Sequence, residues 1–286
     1  MQDGNRVNDP LSLPIQTSND SIPNVLVFGE TGTGKSSLIN MIAGNDVAKV
    51  SNDALGCTFG NVQYVVNEFI DGSPIRLWDT AGLNEGEHGM VSSEQAMQNL
   101  YNLVYNLKGG VNLLVYCIRA TRFRDILLTN YELFSRIICQ RMVPTVVVVT
   151  GLEYQDPMDS WWDENESEFS RRGMEFSGHA CVTTTKGKRL KSGEYMFEEE
   201  YAESVDAVRK LVKTHVSTQP WIMGGTAWMR GITTDLAEYY RREQATSLPS
   251  PSMSAGTSMG RVSRSHRHIL YDLLLWLRDL VVRLDR

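Results

Sequence analysis

Cysteine is scarce in this sequence and badly placed for cross-linking. The four residues Cys57, Cys117, Cys139 and Cys181 form no Cys-x-x-Cys pair and have no histidine at metal-ligand spacing. Buried free thiols are therefore favoured over disulfides or zinc ligands, which suits a reducing compartment and predicts a cytoplasmic protein. Positive charge is not in excess either: the formal net charge is -6, so no nucleic-acid partner is expected. The first residues, MQDGNRVNDPLSLPIQTSND, have neither a basic start nor an apolar core. No secretory signal is visible, and residues 1–20 are expected to be a disordered leader.

What is present is an ordinary globular composition, 42% hydrophobic and 22% charged, in a chain long enough to bury a sizeable core. From Pro23 to about Ser217, short β-branched runs alternate with longer amphipathic segments, the pattern of a mostly parallel sheet flanked by helices. Strands are predicted at 24–29, 62–69, 74–79, 111–118, 144–150 and 179–183, and helices at 35–43, 92–107, 125–139, 158–171 and 199–215. Two strands, VNLLVYCI and PTVVVVT, are continuously apolar, as central strands covered on both faces should be.

Beyond this domain, 218–243 reads as a helical extension and the Ser/Gly/Pro/Met-rich 244–265 as a flexible linker. Residues 266–286 read as an amphipathic helix. Leu270, Leu273, Leu277, Leu280 and Leu284 recur at steps of three and four, a coiled-coil-like seam. Charges at Asp272, Arg278, Asp279, Arg283 and Asp285 interrupt it, so it is too short of apolar length to span a membrane. Docking on its own domain, self-association and peripheral contact with a membrane surface are the alternatives.

The most specific signal is Gly29-Glu30-Thr31-Gly32-Thr33-Gly34-Lys35-Ser36, a complete G-x-x-x-x-G-K-[ST]. Chance produces it in about one chain in a hundred of this length. It follows a predicted strand and opens a predicted helix, where successive backbone N–H groups and the helix N-terminus can face phosphate oxygens. Lys35 is expected to reach the β- and γ-phosphates, and Ser36 to ligate Mg²⁺, with Ser37 beside it in the first turn. Asp79, in the run LWDTAG, fits the role of holding the Mg²⁺ shell through water. Gly82 can bring its N–H against a γ-phosphate, and Thr58, in GCTFG, can close over Mg²⁺ and phosphate.

The phrases FGETGTGKSSLIN, GCTFG, LWDTAGLNEG, VVVVTGLE and HACVTTTKG resemble the translation-factor-related GTPases, within them the septin, immunity-associated and plastid-import-receptor branch. They look closest to fungal G-domain proteins, and the resemblance covers roughly residues 22–215. It implies a P-loop G domain over 21–217, with a mostly parallel six-stranded sheet flanked by helices on both faces and a C-terminal helical extension. It also implies Mg²⁺ as cofactor and GTP or GDP as ligand. Carried over by position, Thr150, Gly151, Leu152 and Glu153 stand where Asn-Lys-x-Asp is usual. Glu153 keeps the carboxylate that accepts from guanine N1–H and the 2-amino group, while the bracing Asn and covering Lys are gone. Thr184, Thr185 and Lys186 fall at the Ser-Ala-Lys places, where the Thr185 N–H would meet the base and Lys186 would lie along it.

Leu83 stands where small GTPases of the Ras type have a water-orienting Gln, so turnover should be slow unless another group completes the site. Arg119, Arg122 and Arg124, at the end of a central strand, are candidates, with His88 a remoter one. The expected catalytic set is Lys35, Thr58, Gly82 and an arginine, Arg122 or Arg119. The resemblance implies an arginine acting across a GTP-dependent homodimer, through the nucleotide face. The C-terminal helix is a second route to self-association. The functional expectation is a slow Mg²⁺-dependent GTPase whose nucleotide state controls association. A non-hydrolysing interaction module and a P-loop ATPase or kinase stay open as alternatives.

Overall fold

The structure, a computed structural model, describes residues 22–48, 60–81, 103, 106–107, 109–222, 231 and 234. The strands are β1 (Asn24–Phe28), β2 (Gly60–Ile70), β3 (Ser73–Ala81), β4 (Leu113–Arg119), β5 (Thr145–Thr150) and β6 (Gly178–Val182). They form one sheet in the order β2-β3-β1-β4-β5-β6. Within this sheet β2 pairs antiparallel with β3, β1 pairs parallel with β3 and β4, and β5 runs parallel between β4 and β6. Among the described residues, helices form at α1 (Lys35–Ala43), α2 (Asp125–Tyr131), α3 (Ser160–Ser170) and α4 (Glu198–His215). This is the six-stranded, mostly parallel α/β fold of a P-loop G domain.

Strand alternation divides the core in two. Leu26 and Phe28 of β1 point to one face with Leu114, Tyr116, Val147 and Val149, while Val25 and Val27 point to the other with Leu113, Val115, Val146 and Val148. The first face is covered by residues of α2 and α3, including Leu127 and Trp162, the second by α1 and α4, including Leu38, Ile39, Val208 and Val212. Every side chain from Val146 to Val149 is fully buried, and each contributes about 1.5–3 kcal/mol by leaving water. Trp161 and Trp162 pack with Phe169, and Trp162 also stacks on His179, a purely structural placement.

The helix expected over 125–139 is interrupted. After α2, residues Glu132–Ile138 continue as a π-helical stretch, held in part by Cys139 N–H donating to Phe134 O and by the Glu132–Arg136 ion pair. Five-residue spacing cannot be told from four-residue spacing in an apolar run such as ELFSRII, so periodicity gave no sign of it. Of the helix expected at 92–107, residues 103, 106 and 107 are described, and Leu103 and Leu107 are buried in the first core. The start of the predicted extension returns to the sheet: Trp221 exchanges two backbone hydrogen bonds with Val111 at 2.9 Å. The expected leader, the expected linker at 244–265 and the expected helix at 266–286 lie outside the described residues, as does Cys57. Cys117, Cys139 and Cys181 are buried free thiols. Among the described residues, no helix is long and apolar enough to cross a membrane.

Candidate functional site

The glycine loop leaves β1 and enters α1 with backbone angles that suit glycine: φ is 144° at Gly29, 79° at Gly32 and 94° at Gly34. Gly34 is the N-cap of α1, and no side chain caps that first turn. Its N–H groups and the positive end of the helix therefore face the loop, an arrangement suited to an anion. Lys35 is 92% buried, and its ammonium donates to the carbonyls of Gly29 at 3.0 Å and Glu30 at 2.9 Å. The cation is thus folded over the loop it serves. Thr33 closes the turn by donating its hydroxyl to Glu30 O at 2.8 Å, while Thr31 and Gly32 lie exposed at the tip.

Behind the loop, two neighbouring strands, β4 and β5, hold it in place. Thr33 O accepts from the Thr150 hydroxyl at 2.6 Å and from the Cys117 thiol at 3.3 Å. Thr150 also donates toward Ile118 O at 3.2 Å. The loss of Asn at this place suggested an unbraced loop; Thr150 supplies the brace itself. The Cys117 contribution was not visible in sequence, because a cysteine inside an apolar strand carries no signal of a loop partner. Burial pushes that thiol up to about 11, so it remains a neutral donor. Replacing Thr150 by Val removes one buried donor and should cost about 1–3 kcal/mol, read as a lower denaturation midpoint with an unchanged m-value.

Asp79 lies on β3, in register with Val27 of β1, and is 99% buried. The Ser36 hydroxyl lies near enough to this carboxylate to favour its charged form, and the carboxylate's Oδ1 has no partner among the described residues. Burial holds its pKa above the ordinary aspartate value, against the lowering pull of Lys35 and Ser36. A buried carboxylate with an unfilled oxygen, next to a serine hydroxyl and a phosphate-type loop, is the donor set that Mg²⁺ takes: hard oxygens around a small cation. Ser36 and Asp79 therefore fit the metal. Thr58, the other expected metal residue, lies outside the described residues, as do Gly82, Leu83 and His88.

The strand ends at β5 and β6 converge on the same loop. A Cβ built on Gly34 would stand 3.3 Å from Thr184 Oγ1 and 3.7 Å from Thr150 Cγ2. Thr185 is placed differently from expectation: its N–H donates to the Thr183 hydroxyl at 3.3 Å, and Thr183 is the buried residue of the run. Lys186 is also turned elsewhere, its ammonium 5.2 Å from the ring centre of Tyr201 and 5.8 Å from that of Tyr195. Glu153 is half-buried on one wall of a cleft of about 490 Å³ whose lining also includes Asp156, Asp159, Glu199, Glu200 and Glu203. Carboxylates on both walls repel phosphate and offer acceptors to N–H donors.

The three arginines part company. Arg124 pairs with Glu30 of the glycine loop at 2.5 Å, Arg122 is exposed in the turn after β4, and Arg119 lies across Gly151.

The profile of a family described as 50S ribosome-binding GTPase matches residues 24–150. Rab-like protein 3 of Xenopus tropicalis is 29% identical over 146 residues, covering 45% of this chain and 60% of that protein. The tRNA modification GTPase MnmE of Bordetella avium is 48% identical over 63 residues, 22% of this chain and 13% of that one. The chain thus spans less than two thirds of the length of each of these relatives. Among solved structures, Toc33 from Arabidopsis thaliana in complex with Mg²⁺ and GMPPNP is 20% identical, with a TM-score of 0.46 over 68% of this chain and 82% of that one. Era of Aquifex aeolicus bound to GDP·AlF₄⁻ is also 20% identical, with a TM-score of 0.46 over 77% and 67%. Strand order, the glycine loop at the end of β1 and Asp79 on β3 make a G-domain fold, and residues 24–150 of it are similar to the 50S ribosome-binding GTPase profile.

Proposed function

We propose that this protein is a Mg²⁺-dependent guanine-nucleotide-binding protein that hydrolyses GTP slowly and uses its nucleotide state to control association. The observation that carries the reading is the meeting of a preorganised glycine loop, Lys35 folded over it, with the unfilled Asp79 oxygen and Ser36. Ser36 would hold Mg²⁺, and Asp79 would orient its shell. Held by these residues, Mg²⁺ would supply charge neutralisation at the nucleotide phosphates.

Guanine is favoured over adenine by Glu153, since only guanine presents N1–H and a 2-amino group to a carboxylate. Leu83 brings no group able to orient water, so turnover depends on a residue from elsewhere. Arg122, exposed in the turn after β4, is suited to reach a second copy across the nucleotide face. The same Leu83 favours a second reading, in which nucleotide binding alone drives association. Three buried free thiols favour a cytoplasmic setting. Peripheral membrane contact would fall to the helix at 266–286.

The test is equilibrium binding of fluorescent GTP, GDP and ATP with Mg²⁺, followed by turnover measured across protein concentrations. Glu153→Ala should weaken guanine nucleotides about 10- to 100-fold, as loss of hydrogen bonds to a charged group predicts, and leave ATP unchanged. Equal losses for both bases would remove Glu153 as the reader of guanine. Specific activity that rises with protein concentration supports completion of the site between protomers; a flat profile with slow turnover supports the second reading.

A further inference from the structure

In the pattern this chain resembles, a lysine of the Asn-Lys-x-Asp loop covers the base, and here that place holds Gly151. The glycine is not an empty position. Its φ is 82°, and a Cβ built on it would stand 3.4 Å from Arg119 Cγ, 3.4 Å from Nε and 3.5 Å from Cζ. The stem and guanidinium of Arg119 therefore lie across the very backbone that lacks a side chain. Arg119 ends β4 in register with Thr150, and Ala120 N–H donates to Thr150 O at 2.8 Å, so the two strand ends are locked side by side.

The site around this pair is defined by its neighbours. The glycine loop at the end of β1 takes the phosphates. Thr150 and Thr184 approach Gly34 from β5 and β6, so a nucleoside leaving that loop passes between these two strand ends. Ligands of open α/β sheets occupy this crevice, outside the carboxyl ends of the strands. The second lysine of the pattern, Lys186, is turned to the rings of Tyr201 and Tyr195.

We infer that Arg119 is the base-covering residue of this site: its planar guanidinium, admitted by the missing side chain at Gly151, stacks on the purine. A guanidinium suits that task better than an ammonium, because it is flat, weakly hydrated and stacks on aromatic faces. The role is one of binding and positioning, distinct from Arg119 acting on the γ-phosphate. It rests on the nucleotide-binding reading above, though not on the identity of the base, since stacking is blind to base edges.

The test measures dissociation constants of fluorescent GDP, GTP and ATP for the full chain and for Arg119→Ala and Arg119→Lys, with Tm recorded for each. Arg119→Ala should weaken GDP and GTP equally, by about tenfold, as loss of one base-stacking partner does. The ratio of guanine to adenine affinity should not move. Arg119→Lys, which keeps stem and charge, should recover to within about threefold of the parent. A loss confined to GTP would assign Arg119 to the γ-phosphate and overturn the inference, and so would unchanged affinities. Should Arg119→Ala lower the Tm, Arg119→Lys and Arg119→Gln decide instead: affinity must follow Lys above Gln at equal Tm, and equality of the two overturns the inference. A parent chain that binds no nucleotide sinks the functional reading first. A parent that prefers ATP sinks only the guanine assignment, and the arginine series is then read with ATP.

Discussion

Gly29→Ala should unfold or severely loosen the domain, whereas Gly32→Ala, three residues along the same loop, should be mild. A methyl group on Gly29 would stand 2.0 Å from the carbonyl oxygen of Cys117, far inside contact distance. That oxygen belongs to β4, which lies between β1 and β5 and is hydrogen-bonded to both, so it has nowhere to retreat. The φ of 144° at Gly29 is also one that L residues rarely adopt. Overlap and backbone strain together should cost about 3–5 kcal/mol, enough to lower Tm by roughly 10 °C or more in a domain of this size.

Gly32 is the internal control. It too has a left-handed φ, 79°, but a Cβ there meets nothing within 4 Å. Only the left-handed conformation is then penalised, about 1 kcal/mol. Thermal denaturation of the two variants side by side separates close packing from backbone conformation. If both fall equally, the approach of Gly29 to β4 is not what demands glycine. The Gly29 variant should lose nucleotide binding as well, since Lys35 anchors to the carbonyls of Gly29 and Glu30.

The same contrast marks how far sequence reading reached. The six strands came out within two residues of their ends because each is a short apolar run bounded by turn residues, and β4 and β5 are buried on both faces. The glycine loop was legible because its chemistry is contiguous: eight residues in a row supply backbone, cation and hydroxyl. What escaped was every contact made between distant segments. Thr150 bracing Thr33 joins residues 117 positions apart, and Cys117 reaches the same carbonyl across 84. Arg119 filling the space over Gly151 depends on β4 and β5 being neighbours in register, which no local pattern encodes. Lys186 and Thr185 were assigned by position along the chain, but their side-chain and backbone partners are chosen by α4 and by Thr183.

Asp79→Asn should show stability and ligand binding moving in opposite directions. Without nucleotide, burial is the largest influence on this carboxylate and raises its pKa, with Lys35 and Ser36 only partly opposing it. The folded value thus lies above the unfolded value, and the native state takes up the proton first as pH falls. Stability attached to this group is fully present below the unfolded aspartate pKa and is lost as pH rises through the folded one. Above the folded value the native protein carries an ionised, poorly solvated Asp79, and there removing its charge should raise Tm. The advantage of Asp79→Asn should shrink as pH falls and vanish near the unfolded aspartate value of about 4. Mg²⁺ and nucleotide reverse the order, because a cation shell rewards the ionised carboxylate that burial penalises. Asp79→Asn should weaken Mg²⁺-dependent nucleotide binding about 10- to 100-fold, as loss of an outer-shell metal partner does. Denaturation midpoints across pH, with and without Mg²⁺ and GTP, check both halves. A variant less stable than the parent at neutral pH without ligand would mean that Lys35 and Ser36 outweigh burial at Asp79. The unfilled oxygen would then not be a cost borne for the metal.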